Sequence, residues 1–122
     1  MTPGARGFTL LEVLVALAII AIGLSATLRY AQAGVDTADA LERRAEAHWV
    51  AGTAAAEARL DPPPAASVRN GVERMGHRDY RWEMRAGGAD AGGALAIAID
   101  VADAARPAQV LAHLDVLAVT KP

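Results

Sequence analysis

The sequence predicts an α+β chain: one long N-terminal helix, membrane-spanning and then amphipathic, packed on a small antiparallel β-sheet. Three observations carry this. An apolar run follows the first few residues. Apolar residues then recur every three or four positions as far as Leu60, and beyond a proline break three segments alternate apolar and polar side chains.

At 122 residues the chain has room for one small domain and an anchor. Hydrophobic residues make up 53% of it but aromatics only 4%, so alanine supplies much of the apolar content and any core is small. A net charge of −2 argues against general nucleic-acid binding or a polybasic lipid patch. The absence of cysteine excludes a disulfide framework and a thiolate metal site.

The first element is the stretch "GFTLLEVLVALAIIAIGL". Val13 to Leu28 carries no formal charge, and counted from Phe8 to the closing Arg29 the segment spans about 31 Å as a helix, a match to a bilayer core. A buried soluble helix would need a cover on all sides that the rest of so short a chain cannot supply. A cleaved secretory signal is the sharper competitor, with Arg6 as its basic end and Ala31-Gln32-Ala33 before Gly34 as its cleavage site. That reading leaves Gly7-Phe8 and Glu12 unexplained, and it cuts through a helical pattern that continues without a break. Glu12 is the oddity: a carboxylate at a bilayer centre costs roughly 2.5–3.5 kcal/mol on insertion scales.

The second element continues the helix. Leu24, Leu28, Ala31, Val35, Ala38, Leu41, Ala45, Trp49, Gly52, Ala56 and Leu60 form one stripe, with Glu42, Arg43, Glu46, Glu57 and Arg59 on other positions. The prolines of "DPPP", Asp61 to Pro64, end it by removing donors and forcing extended backbone. From Phe8 to Leu60 such a helix would be about 80 Å long. The stripe lacks a sustained heptad, so a coiled coil is the weaker account of it. Its part over residues 41–60 is expected to cover the sheet.

The sheet comes last. "HRDYRWEMR" places Arg78, Tyr80, Trp82 and Met84 on one face; "ALAIAIDV" does the same for Leu95, Ile97, Ile99 and Val101. "VLAHLDVLAV" aligns Val110, Ala112, Leu114, Val116 and Ala118, and "GGADAGG" reads as a flexible hairpin loop. Val68 to Met75 is a candidate for a short further strand. Three or four antiparallel strands with one apolar face need the helix as a second layer.

Catalytic chemistry finds little to stand on. His48, His77 and His113 fall in different elements, and His77 with Asp79 is as well explained by an exposed strand edge as by a metal. Ser25 and Ser67 lie in an apolar segment and a proline-rich loop, so neither suggests a nucleophile. "GGADAGG" joins two strands and makes a poor phosphate cradle. Five arginines between Arg69 and Arg85 are offset by three acids to a charge of +2, and Tyr80 and Trp82 are wanted by the core, so this is a solvated face and not a nucleic-acid site. No enzyme, cofactor or metal is expected.

"GFTLLEVLVALAII", Gly7 to Ile20, resembles the leader junction of type IV pilins and type II secretion pseudopilins. In that family a membrane peptidase cuts after the glycine and methylates the new amine. The resemblance implies a leader over residues 1–7, cleavage between Gly7 and Phe8, N-methylation of Phe8, and Glu12 as the assembly glutamate. It also implies a pilin-like fold, with a transmembrane helix over 8–28, an amphipathic helix over 29–60 and a sheet over 61–122. Elementary physics agrees with that transfer. An amine of unperturbed pKa about 7.7–8.0 would open the helix, and Glu12 would stand one turn in, where the helix dipole favours an anion. In low dielectric the two attract strongly and each is costly alone, so the Phe8 amine of a neighbouring subunit would satisfy Glu12 and set an axial register. Gly7 lets the backbone approach a protease closely.

The head narrows the resemblance. "HWVAGTAAAEARL" before a proline break, and Gly76 followed by "YRW", are similar to the I-type minor pseudopilins, although Thr53 stands where that family usually has asparagine. This implies assembly with other minor pseudopilins (the J and K types, the H type a further candidate) and the major pseudopilin. The resulting tip complex would prime a periplasmic pseudopilus that exports folded proteins. It implies contact with the prepilin peptidase and an inner-membrane assembly platform, a single pass through the bacterial inner membrane with a cytoplasmic N-terminus, and no nucleic acid. Positive charges do not set that orientation, since Arg6 is balanced by Arg29. Two other readings stay open: a PilV-like minor pilin of a type IV pilus, and an anchored periplasmic enzyme or ligand-binding domain, which would need a deep pocket.

Overall fold

The computed structural model describes residue 7 and residues 9–120. Among the described residues there is one helix, α1 (Leu10–Leu60), followed by strands β1 (Val68–Met75), β2 (Arg78–Ala89), β3 (Ala94–Asp103) and β4 (Val110–Val119). The chain divides into two compact units, residues 1–39 and 40–122. Each is taken by itself.

In the first unit, the backbone N–H of Val13 donates to the Thr9 carbonyl at 3.2 Å, which closes the first helical turn. The apolar segment that follows has no residue buried within the chain, and it is long and apolar enough to cross a membrane. Its few hydroxyls are satisfied locally: Ser25 donates to the Ala21 carbonyl at 2.7 Å and Thr27 to that of Gly23 at 2.9 Å. A polar side chain that returns its hydrogen to the preceding turn leaves nothing unsatisfied toward an apolar surround.

The second unit is a four-stranded antiparallel meander in the order β1-β2-β3-β4, with the last turns of α1 against one face. The sheet supplies the bulk of the core. Tyr80, Leu95, Ile97, Ile99 and Val101 are fully buried, and Met84, Ala112, Val116 and Ala118 complete the layer. The helix meets them with small residues: Ala47, Val50, Ala51, Ala54, Ala55 and Ala58. This corrects the expected helix face. Leu41, Ala45, Trp49, Gly52, Ala56 and Leu60 all lie exposed, on the side away from the sheet. Large side chains from the strands occupy the interlayer space, so the helix contributes its alanine face.

Local chemistry explains the turns. Gly76, with φ +62°, opens the two-residue β1–β2 hairpin, where positive φ matches the twist of the strands. The expected glycine loop is shorter than its sequence suggests: Gly87 to Ala89 belong to β2, beside a register shift between Ala86 and Ala89. The remaining turn is closed by Asp90, whose Oδ1 accepts from the N–H groups of Gly92 and Ala94, both at 2.8 Å. β1, only a candidate from sequence, is a full edge strand paired with β2 from Val68↔Arg85 to Met75↔Arg78. Between β3 and β4 a second register shift, where Val101 pairs with Ala112 but Ala102 with Val110, accompanies an outward Val110, while Ala112, Val116 and Ala118 point in as expected.

Candidate assembly site

Thr9 and Glu12 start the helix, and they do so as a reciprocal pair. The Glu12 N–H donates to Thr9 Oγ1 at 3.2 Å, and the Thr9 N–H donates to Glu12 Oε2 at 3.4 Å. This is a capping box, Thr-x-x-Glu, which satisfies two of the donors that a helix start leaves without partners. Glu12 is exposed in the first turn, on the end of the helix where the dipole favours a negative charge. Sequence reasoning assigned Glu12 but gave Thr9 no capping role, although the spacing of the two was there to be read. Gly7 is exposed, and a Cβ built there would meet nothing within 4 Å, so the surrounding chain leaves room for a larger residue. Phe8, named for cleavage and N-methylation, lies outside the described residues, as does most of the expected leader.

At the other end of the helix a polar node ties α1 to the sheet. The buried Tyr80 hydroxyl donates to the Glu46 carboxylate, and Arg78 Nη1 donates to the same carboxylate at 3.4 Å. Glu42 faces Arg78 at 3.7 Å, and Arg43 faces Asp103 at 3.8 Å. The Tyr80 phenol is pushed up to about 12, first by burial and then by its hydrogen bond to Glu46. These groups set how the helix sits on the strands, because a charged partner buried at one register would be left unpaired at another.

The outer face of the sheet carries an ion-pair chain. Arg85 pairs with Asp100 and, at 2.8 Å, with Glu83; His113 donates from Nδ1 to Asp100 at 2.6 Å, with Asp115 at 3.3 Å from Nε2. The Asp100 hydrogen bond, then the charge of Asp115, hold the imidazole above its ordinary value. His77 occupies the β1–β2 turn and Asp79 pairs with Arg74 at 3.7 Å. Among the described residues no three His, Cys, Asp or Glu side chains are grouped to hold a metal.

Residues 41–118 match the family model described as type II secretion system (T2SS), protein I, and residues 3–28 match the prokaryotic N-terminal methylation motif. The chain is 42% identical over 81 residues to the type II secretion system protein I of Pseudomonas aeruginosa, covering 66% of this chain and 62% of that protein. The Vibrio cholerae protein of the same name is 39% identical over 79 residues, covering 65% of this chain and 67% of its own length. That of Escherichia coli is 36% identical over 99 residues, 79% of this chain and 77% of that protein. An apolar N-terminal helix, a helix-on-sheet head and two family matches that together take in most of the described residues lead to one conclusion: the chain belongs to the protein I family of the type II secretion system, the I-type minor pseudopilins.

Proposed function

We propose that this minor pseudopilin is anchored by residues 8–28 in the bacterial inner membrane, N-terminus in the cytoplasm and head in the periplasm, and is cleaved after Gly7. Phe8 becomes a methylated N-terminal residue, and Glu12 takes up the amine of a neighbouring subunit as the helices assemble. The partners are minor pseudopilins of the J and K types, with the H type a further candidate, then the major pseudopilin, the prepilin peptidase and the assembly platform. Together they start the pseudopilus that exports folded proteins. The head serves as an interface and not as a catalyst.

The observation that carries this is the joining, in one chain, of a methylation motif over residues 3–28 to a protein I head over residues 41–118. Glu12 stands in the first turn of the apolar helix that the motif opens. The Thr9–Glu12 capping box gives the carboxylate a partner before assembly, so the unassembled helix can hold it at a membrane boundary at less cost.

The test is the N-terminus itself. Co-expressed with a prepilin peptidase and extracted from membranes, the chain is expected to begin at methylated Phe8 by mass spectrometry. A start at Gly34 would mark a secreted protein released by signal peptidase, and this reading would fall with it.

A further inference from the structure

Asn70 is the only asparagine of the chain, and it is followed by Gly71. Between apolar-alternating segments an Asn-Gly pair is a hairpin signal. Here it lies inside β1, and the hairpin turn is made by Gly76 and His77 instead. A local preference that the fold overrides calls for a reason. Gly71 has one. A Cβ there would lie 2.6 Å from Cζ2 and 2.8 Å from Cε2 of Trp82, which faces it across the two strands. The indole therefore keeps a glycine behind Asn70.

That neighbour has a chemical consequence. In an open chain the deprotonated Gly71 nitrogen can attack the side-chain carbonyl carbon of Asn70, because glycine has no Cβ to hinder the approach. The new N–C bond closes a cyclic succinimide, and the side-chain nitrogen leaves as ammonia. Water then adds to one of the two ring carbonyls. Opening at one gives aspartate; opening at the other gives isoaspartate, whose backbone runs through the former side chain. One water enters and one ammonia leaves, so no oxidant, reductant or cofactor is needed.

β1 blocks the first step in two ways. Extended backbone carries the Gly71 nitrogen away from the Asn70 side chain, and the ladder holds the Gly71 N–H. Met75 and Arg78 close the hairpin as a hydrogen-bonded pair, and such pairs recur at every second position, which makes Gly71↔Trp82 one of them. The far end of the ladder agrees: the Ala86 N–H donates to the Ser67 carbonyl at 2.9 Å. Asn70 itself is exposed on an edge strand, so pairing guards it and burial does not.

We propose that Asn70-Gly71 is a self-modification site gated by β1. Each opening of the strand exposes the pair to deamidation, and the isoaspartate product keeps the strand from pairing again. Its extra backbone methylene puts the donors and acceptors beyond it out of step with β2. Conversion is a one-way record of the time the head has stood with its edge open.

The full-length chain in detergent tests it, incubated folded or in denaturant at one mildly alkaline pH. Trypsin cuts after Arg69 and Arg74, so the peptide Asn70–Arg74 reports conversion by mass spectrometry, and an isoaspartate-specific methyltransferase separates the two products. The folded chain should convert about a hundredfold or more slowly than the denatured one, by the same factor that protects the Gly71 N–H from hydrogen exchange. Val72→Gly, which loosens β1 from an exposed position, should speed both processes by one common factor, each chain being referred to its own denatured rate. In aged samples the isoaspartate fraction should lose exchange protection along β1. Asn70→Asp, which carries the charge without the extra methylene, should keep it. Equal folded and denatured rates, no conversion in denaturant, deamidation that does not follow Gly71 exchange, or an isoaspartate chain with β1 still protected would each overturn the proposal.

Discussion

Glycine 71 shows how closely one residue can be specified. A Cβ built there would lie 2.6 Å from Cζ2 of Trp82, whose ring lies across β1 and packs on the core. Gly71→Ala forces a rigid indole to move and is expected to cost about 1–3 kcal/mol, read as a lower denaturation midpoint of the detergent-solubilised chain. Tyr80 carries a different constraint. Tyr80→Phe keeps the ring in the core but removes the hydrogen bond to the Glu46 carboxylate, an expected loss of about 1.5–3 kcal/mol. The phenol also predicts a pH limit. Its folded value, about 12, lies above the ordinary 10, so folding favours the protonated form. That stability is present in full below pH 10 and is lost as pH rises from 10 toward 12; alkaline unfolding in that window should vanish from the Tyr80→Phe variant. On the outer face, His113 should titrate above 6.5 by NMR, and Asp100→Asn, which removes the largest cause, should bring it back down.

At the scale of elements, α1 and the sheet divide the labour of core formation unequally. The strands bring the large side chains and the helix brings alanine, so the two helix faces should respond oppositely to one kind of change. Ala54→Leu, facing the sheet, overpacks a full interlayer and is expected to destabilise by about 1–3 kcal/mol. Ala56→Leu, two residues away on the open face, should leave thermal stability within about 0.5 kcal/mol of the parent. Equal effects would mean that the two faces are not distinguished as described. β2, β3 and β4 were legible because each alternates over eight residues or more, with turn residues between them, whereas β1, whose apolar residues do not alternate, stayed a candidate. The helix face was not, because hydrophobic periodicity weights Leu41, Trp49 and Leu60 above the alanines, and by that measure the exposed stripe outranks the buried one.

For the molecule as a whole, the proposal turns on Glu12. Glu12→Ala is expected to leave membrane insertion and cleavage unchanged, since the apolar run survives and becomes more apolar. Co-purification with partner subunits should fall about tenfold or more, because an unpaired amine in low dielectric costs well over the 1.4 kcal/mol that a factor of ten represents. Unaltered co-purification would remove Glu12 from the assembly account while leaving family membership untouched.

Some of this was decided by the order of residues alone. An uncharged run long enough for a bilayer, a Thr-x-x-Glu helix start, a proline stop after Leu60 and alternating strands are local patterns, and each is read from neighbours within a few residues. The placement of Gly7 and Glu12 ahead of that run is local too. What needed the tertiary structure was every choice among equivalent local options: which of two apolar helix faces meets the sheet, how Tyr80, Arg78 and Glu46 come to share one node across more than thirty residues, and where Val110 turns out of the core. Those depend on the volume the strands bring and on register, quantities that exist only once distant segments have met. That same choice leaves Trp49 on the outside.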